Sequence, residues 1–205
     1  NEINRIIAKK YFIEGDYINS NKYYEPSIQY YRTSEDTINL IRVLRGIAGN
    51  NIKLSKEEDV VTKYLNEAKL LAIESNQVRE ATAIDITLAV YYSERSNFIE
   101  AFKLFNKSKE VVVEHNYSKL EYTIAFNLGN LYANIEEYDK AITHYKDGFQ
   151  IALELQNEAV QIFFQEALAS VYQNKADYQK ALEYYRVALE YNLKVNNINH
   201  TIYCY

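Results

Sequence analysis

Between Phe126 and Gly148, apolar residues fall at three- and four-residue intervals, break once at a polar stretch and then resume. Leu128, Leu131, Tyr132 and Ile135 share one face of a predicted helix, because that spacing returns side chains to the same side of a 3.6-residue turn. Glu136, Glu137, Tyr138 and Asp139 interrupt it, and Ala141, Ile142, Tyr145 and Phe149 lay out a second helix. The pattern predicts a helical hairpin. Gly129 and Ala141 are the small residues that let its helices approach, with Tyr132, Tyr138 and Tyr145 filling the space around them.

The pattern repeats. Forty residues on from Gly129, Tyr132, Tyr138, Ala141, Tyr145 and Gly148 stand Ala169, Tyr172, Tyr178, Ala181, Tyr185 and Ala188; forty back stand Ala89, Tyr92, Phe98, Ala101, Phe105 and Ser108. A further step reaches Gly49, Ile52, Glu58, Val61, Leu65 and Ala68, which keep the sizes and lose the aromatics. With one residue of slippage at the start of the chain, Ala8, Tyr11, Tyr17, Ser20, Tyr24 and Ser27 match as well. Five units follow, approximately residues 1–41, 42–81, 82–121, 122–161 and 162–201, read as a single domain over 1–205. A lone hairpin cannot bury its apolar face, so the units are expected to stack.

Turn-forming pairs mark the joints. Within hairpins these are Gly15-Asp16, Ser96-Asn97, Glu136-Glu137 and Ala176-Asp177; between hairpins they are Thr33-Ser34-Glu35, Ser75-Asn76, His115-Asn116, Gln156-Asn157 and Asn196-Asn197. Ten helices are expected, with the start of an eleventh after Asn199. Pro26 falls inside the second helix and is expected to kink or end it, at a cost of about 3 kcal/mol.

LGNLY followed by YDKAITHY, and ALASVY followed by YQKALEYY, resemble the signature of the tetratricopeptide repeat. The resemblance runs along essentially the whole chain, although that repeat usually has about 34 residues and the period here is longer. Such long units are similar to those of the Rap, NprR and PlcR group of bacterial peptide-sensing regulators and of kinesin light chains. The extra residues are expected in the second helix, since Tyr138 to Leu155 shows no breaker. The resemblance implies an all-α, right-handed superhelical solenoid whose concave groove is lined mainly by the first helices. It also implies which residues face that groove: Thr123, Phe126, Asn127, Asn130, Ala133 and Asn134 in one unit, and Phe163, Glu166, Ala167, Ser170, Gln173 and Asn174 in the next.

Asn127, Asn130 and Asn134 are three and four apart, which places three carboxamides on one helical face. Each donates and accepts, a chemistry suited to holding an extended peptide by its backbone; solvated surface asparagines give the same pattern. Phe126 and Phe163 are expected either to floor a pocket for an apolar side chain or to pack between repeats. Arg5 and Lys9 would offer a carboxylate anchor in the first unit. Some members of the family hold a terminal carboxylate with Lys and Arg at two positions occupied here by Ala83 and Thr87, Thr123 and Asn127, and Phe163 and Ala167, so that clamp is not expected.

A formal charge of -5 with no Lys/Arg block argues against a nucleic-acid surface, and no apolar run approaches the roughly 20 residues that span a bilayer. The single cysteine, Cys204, points to a reducing compartment and hence the cytoplasm. His115, His144 and His200 stand apart, and no phosphate-binding, nucleophile-elbow or metalloprotease motif occurs. No cofactor, metal or catalytic residue is expected, and the acidic pairs Glu57-Glu58 and Glu136-Glu137 belong at turns or helix starts. The absence of methionine and the helical pattern resuming at the end suggest part of a longer chain. The expected function is a peptide- or protein-binding module, the sensor domain of a cytoplasmic bacterial regulator. The alternative is a scaffold without a small ligand, or an adaptor that homodimerises through Ile202, Tyr203 and Tyr205.

Overall fold

Helices in this chain stop in one recurrent way. Just past the ends of the first nine helices a residue takes a positive φ: Gly15, Glu35, Ser55, Asn76, Ser96, Asn116, Glu136, Gln156 and Ala176, with φ between 52 and 77°. The next backbone N–H then donates to a carbonyl five residues back, as from Asp16 to Tyr11 and from Glu137 to Tyr132, both at 2.9 Å. This left-handed cap satisfies carbonyls that the helix end leaves orphaned. At some of these turns the residue making that bond also caps the next helix with its side chain. Asp16, Asp36 and Asn157 accept from the N–H groups of Asn19, Asn39 and Val160 at 3.0, 3.1 and 3.2 Å.

The computed structural model describes residues 2–194, which form α1 (Glu2–Ile13), α2 (Tyr17–Thr33), α3 (Thr37–Lys53), α4 (Glu58–Glu74), α5 (Val78–Glu94), α6 (Phe98–Glu114), α7 (Ser118–Asn134), α8 (Tyr138–Glu154), α9 (Glu158–Asn174) and α10 (Tyr178–Lys194). The ten expected helices are there, and no strand occurs among the described residues. The Asn196-Asn197 break, the eleventh helix, His200, Cys204 and the apolar residues Ile202, Tyr203 and Tyr205 lie outside them. No described helix is long and apolar enough to cross a membrane.

Three expectations need correction. The added length is not confined to second helices: α7 and α8 have 17 residues each, as do α9 and α10. Of the kink or early end expected at Pro26, the early end is overturned, because α2 continues to Thr33. The faces of α2 are buried through Ser20, Tyr24, Ser27 and Tyr31, and packing offsets the hydrogen bond that the ring removes. The one-residue slippage belongs to the turn between α3 and α4, which has four residues, 54–57, where the other turns have three. The buried small residue of α3 is therefore Ala48, fully buried, whereas a Cβ on Gly49 would meet nothing within 4 Å.

The small residues of the repeat pattern do form the closest contacts. Ala8, Ser20, Ser27, Val61, Ala68, Ala89, Ala101, Ala141, Ala169 and Ala188 are all fully buried. The contacts divide the chain into two compact units, the first running to Val111 and the second from Val112. The core of the first centres on Ile41, Leu44, Ile47, Val61 and Leu65, and that of the second on Ala141, Tyr145, Phe164 and Leu168.

Candidate functional site

In the second unit, two glycines seat two aromatic rings. The Tyr145 ring of α8 packs on Gly129 of α7, and the Phe164 ring of α9 packs on Gly148 of α8, in each case where a Cβ would collide with the ring. Tyr145 is 2 % exposed and Phe164 fully buried. Around them gather Tyr122, Phe126 and Phe163. Phe126 and Phe163 lie 4.3 Å apart between ring centroids, and Phe126 stands 5.9 Å from Tyr145 and 6.1 Å from Phe164.

On the solvent side of this cluster, Phe126, Asn130, Tyr145, Phe163, Glu166, Ala167 and Ser170 enclose an open pocket of about 190 Å³. Its floor is aromatic. Its polar atoms are the Asn130 carboxamide, the Glu166 carboxylate and the Ser170 hydroxyl. Tyr145 donates its O–H to Asn130 Oδ1 at 2.5 Å. Burial pushes the phenol pKa well above its ordinary value, so it stays a donor and leaves the Asn130 amide hydrogens to other partners. Glu166 Oε1 accepts from Asn192 Nδ2 of α10 at 2.9 Å, which holds the carboxylate at the wall.

Six of the residues expected to face the groove thus meet: Phe126, Asn130, Phe163, Glu166, Ala167 and Ser170. Phe163 is 42 % exposed, and both phenylalanines combine packing with pocket lining. The other six, Thr123, Asn127, Ala133, Asn134, Gln173 and Asn174, are not among its lining. Thr123 donates back to the Lys119 carbonyl at 2.8 Å, and Asn127 donates to the Thr123 carbonyl at 2.8 Å, so one carboxamide of the asparagine row turns onto its own helix. Asn134 and Asn174 are exposed, and Gln173 Oε1 accepts from the Tyr185 hydroxyl at 3.1 Å. Sequence reasoning placed Tyr145 in the scaffold and missed its part in the pocket. The signal was there: a glycine sixteen residues before a tyrosine in a hairpin leaves the ring room to reach the far face. His115 and His144 stack on Tyr117 and Tyr132, and no cluster of metal-ligating side chains occurs among the described residues.

Residues 122–155 and 166–195 each match a family model for the tetratricopeptide repeat, so the family is matched over these two stretches of the chain. Comparison with curated protein sequences gave no match. Among solved structures, the chain is similar to a signal-transduction ATPase with numerous domains and a tetratricopeptide repeat sensor from Pyrococcus horikoshii, with 20% identity and a TM-score of 0.74 over 98% of this chain and 31% of that one. A Rap protein complexed with competence and sporulation factor shows 18% identity and a TM-score of 0.71 over 100% and 61%. The Rap conjugation gene regulator of the plasmid pLS20, in complex with the Phr* peptide, shows 16% identity and a TM-score of 0.81 over 96% and 54%. The chain thus spans between about a third and three fifths of these three proteins. At such identities the likeness is one of fold, an all-α helical-repeat solenoid.

Proposed function

We propose that this chain is a peptide- or protein-binding module, the sensor domain of a cytoplasmic bacterial regulator, holding an extended peptide along the exposed face of α7 and α9. The observation that carries this reading is the open aromatic pocket with Phe163 left 42 % exposed. Covering such a ring on binding removes apolar area from water, worth about 25 cal/mol per Å². A peptide side chain seated there would leave its backbone beside Asn130 and Ser170, with Asn127, Asn134, Gln173 and Asn174 further along the two helices and Thr123 at the start of the row. The two Rap structures were solved with a factor or peptide bound, which supports a peptide as ligand. The region binds and does not catalyse; a change in the repeat array on binding passes to an output domain elsewhere in the protein.

Calorimetry against a pool of short linear peptides tests this. We expect micromolar binding by at least one sequence, weakened about tenfold or more by Phe163→Ala and by Asn130→Ala, each tenfold being about 1.4 kcal/mol. Absence of binding across the pool, or binding indifferent to both substitutions, would sink the reading. A second reading, an adaptor that self-associates, is favoured by the apolar surface of α10, where Tyr178, Leu182, Val187 and Leu193 are all at least 46 % exposed. Light scattering over a dilution series separates the two, because a monomer at every concentration removes the adaptor.

A further inference from the structure

The open pocket has one charged residue in its lining, Glu166, and the chain departs twice from its own repeat pattern to hold it there. Glu166 is the ninth residue of α9, a position that α5 fills with Ile86 and α7 with Phe126. Its partner Asn192 is the fifteenth residue of α10, where α4, α6 and α8 carry Ala72, Val112 and Ala152, all at most 1 % exposed. Asn192 is almost as deeply buried, at 2 % exposed, and a carboxamide so placed is costly unless it is hydrogen-bonded. The bond from its Nδ2 to Glu166 Oε1 at 2.9 Å offsets that cost and fixes the carboxylate against the wall. Packing alone would be served by apolar residues at both positions, as in the preceding helices, so the two polar residues answer to the pocket and not to the core.

A guest that closes the open mouth strips water from this carboxylate. An apolar side chain would replace none of that hydration, and the loss would work against binding. A guanidinium or ammonium group replaces it with an ion pair, which a covered pocket screens less than open water does. The lining holds no lysine, arginine or histidine among the described residues. The floor suits the same guest. Phe163 is 42 % exposed and its ring centroid lies 4.3 Å from that of Phe126. Aromatic faces attract a cation through the ring quadrupole, and the methylene stem of a lysine or arginine covers the apolar remainder.

We propose that this pocket selects for charge: it takes a cationic side chain of the bound peptide, arginine or lysine, with Glu166 as counter-ion and Asn192 as the residue that positions Glu166. This rests on the peptide-binding reading and adds to it the class of side chain. Calorimetry of the whole chain tests it against one host peptide, acetyl-Ala-Ala-X-Ala-Ala-amide, with X as arginine, lysine, citrulline or leucine. Citrulline keeps the shape of arginine and lacks its charge. The better of the arginine and lysine hosts should bind about tenfold or more tighter than the citrulline and leucine hosts, and their order names the preferred cation. NMR of the side-chain amides of Asn130 and Asn192 in the nitrogen-labelled chain registers binding too weak for heat. Glu166→Gln, whose amide oxygen still accepts from Asn192, should bring the arginine host down to the affinity of the citrulline host. Asn192→Ala takes the residue that α8 has at this position and should lower the ratio of arginine to citrulline affinity; an equal loss for both hosts would overturn the positioning role. A leucine host that binds as tightly as the arginine and lysine hosts, an undiminished arginine preference in Glu166→Gln, or silence of all four hosts overturns the charge selectivity. The pool of linear peptides decides separately whether the peptide reading falls with it, because any pool member that binds keeps that reading.

Discussion

The phenol ring of Tyr145 occupies the space that a side chain on Gly129 would need: a Cβ there would stand 2.6 Å from Cδ1 and 2.8 Å from Cζ. Gly129→Ala is therefore expected to destabilise the chain by about 1–3 kcal/mol, overriding the roughly 1 kcal/mol that alanine gains over glycine in a helix. Gly49→Ala, with nothing within 4 Å of the new methyl, is expected to stabilise by up to about 1 kcal/mol. Urea unfolding of both variants checks the opposite signs; two shifts of the same sign would contradict the packing described.

The bond from Tyr145 to Asn130 joins core to pocket. Tyr145→Phe and Asn130→Ala should each cost about 0.5–1.5 kcal/mol, and the double variant less than their sum. A double-mutant cycle by thermal unfolding measures that coupling, and strict additivity would show that the two groups do not interact in solution.

Pro26 sits within a continuous α2 and removes one of its hydrogen bonds. Pro26→Ala restores the N–H and is expected to raise stability by about 1–3 kcal/mol, read as a higher urea midpoint with an unchanged slope. A lower midpoint would mean that the ring itself supplies packing that the helix needs.

Asp16 caps α2, and its bonds from the Asn19 backbone N–H and side chain hold its carboxyl pKa below the ordinary value of 3.8. A pKa depressed in the folded state adds stability at pH above the unfolded value, and that stability fades as pH falls from about 3.8 through the lower folded value. Asp16→Asn keeps a capping oxygen and removes the titration. Its Tm should fall less than that of the wild type between pH 5 and pH 2, to the order of magnitude that one cap supplies; parallel curves would show that other carboxylates set the acid limit.

Helix positions, the turns between them and the buried small residues were legible in the sequence because they rest on local physics. Apolar spacing sets which face of a helix is buried, and residues such as Asn76 and Asn116 tolerate the left-handed cap. Gly129 and Ala141 were recognisable as contact points for the same reason: a close approach demands a small residue whatever lies opposite. Three things were decided only by the tertiary structure. Which side chain fills the space above a glycine depends on a neighbouring helix, so the seating of Phe164 on Gly148 could not be read from its own helix. Side chains with several donors choose among partners that only folding brings near; Asn127 turned back onto Thr123 while Asn130 met Tyr145, although the two look alike in sequence. A single added residue between α3 and α4 shifted α3 by one position against the forty-residue register, so that Ala48 and not Gly49 is its buried small residue. A turn can absorb one residue at little cost, whereas a packed helix face cannot, and the helix face is where this chain keeps its chemistry.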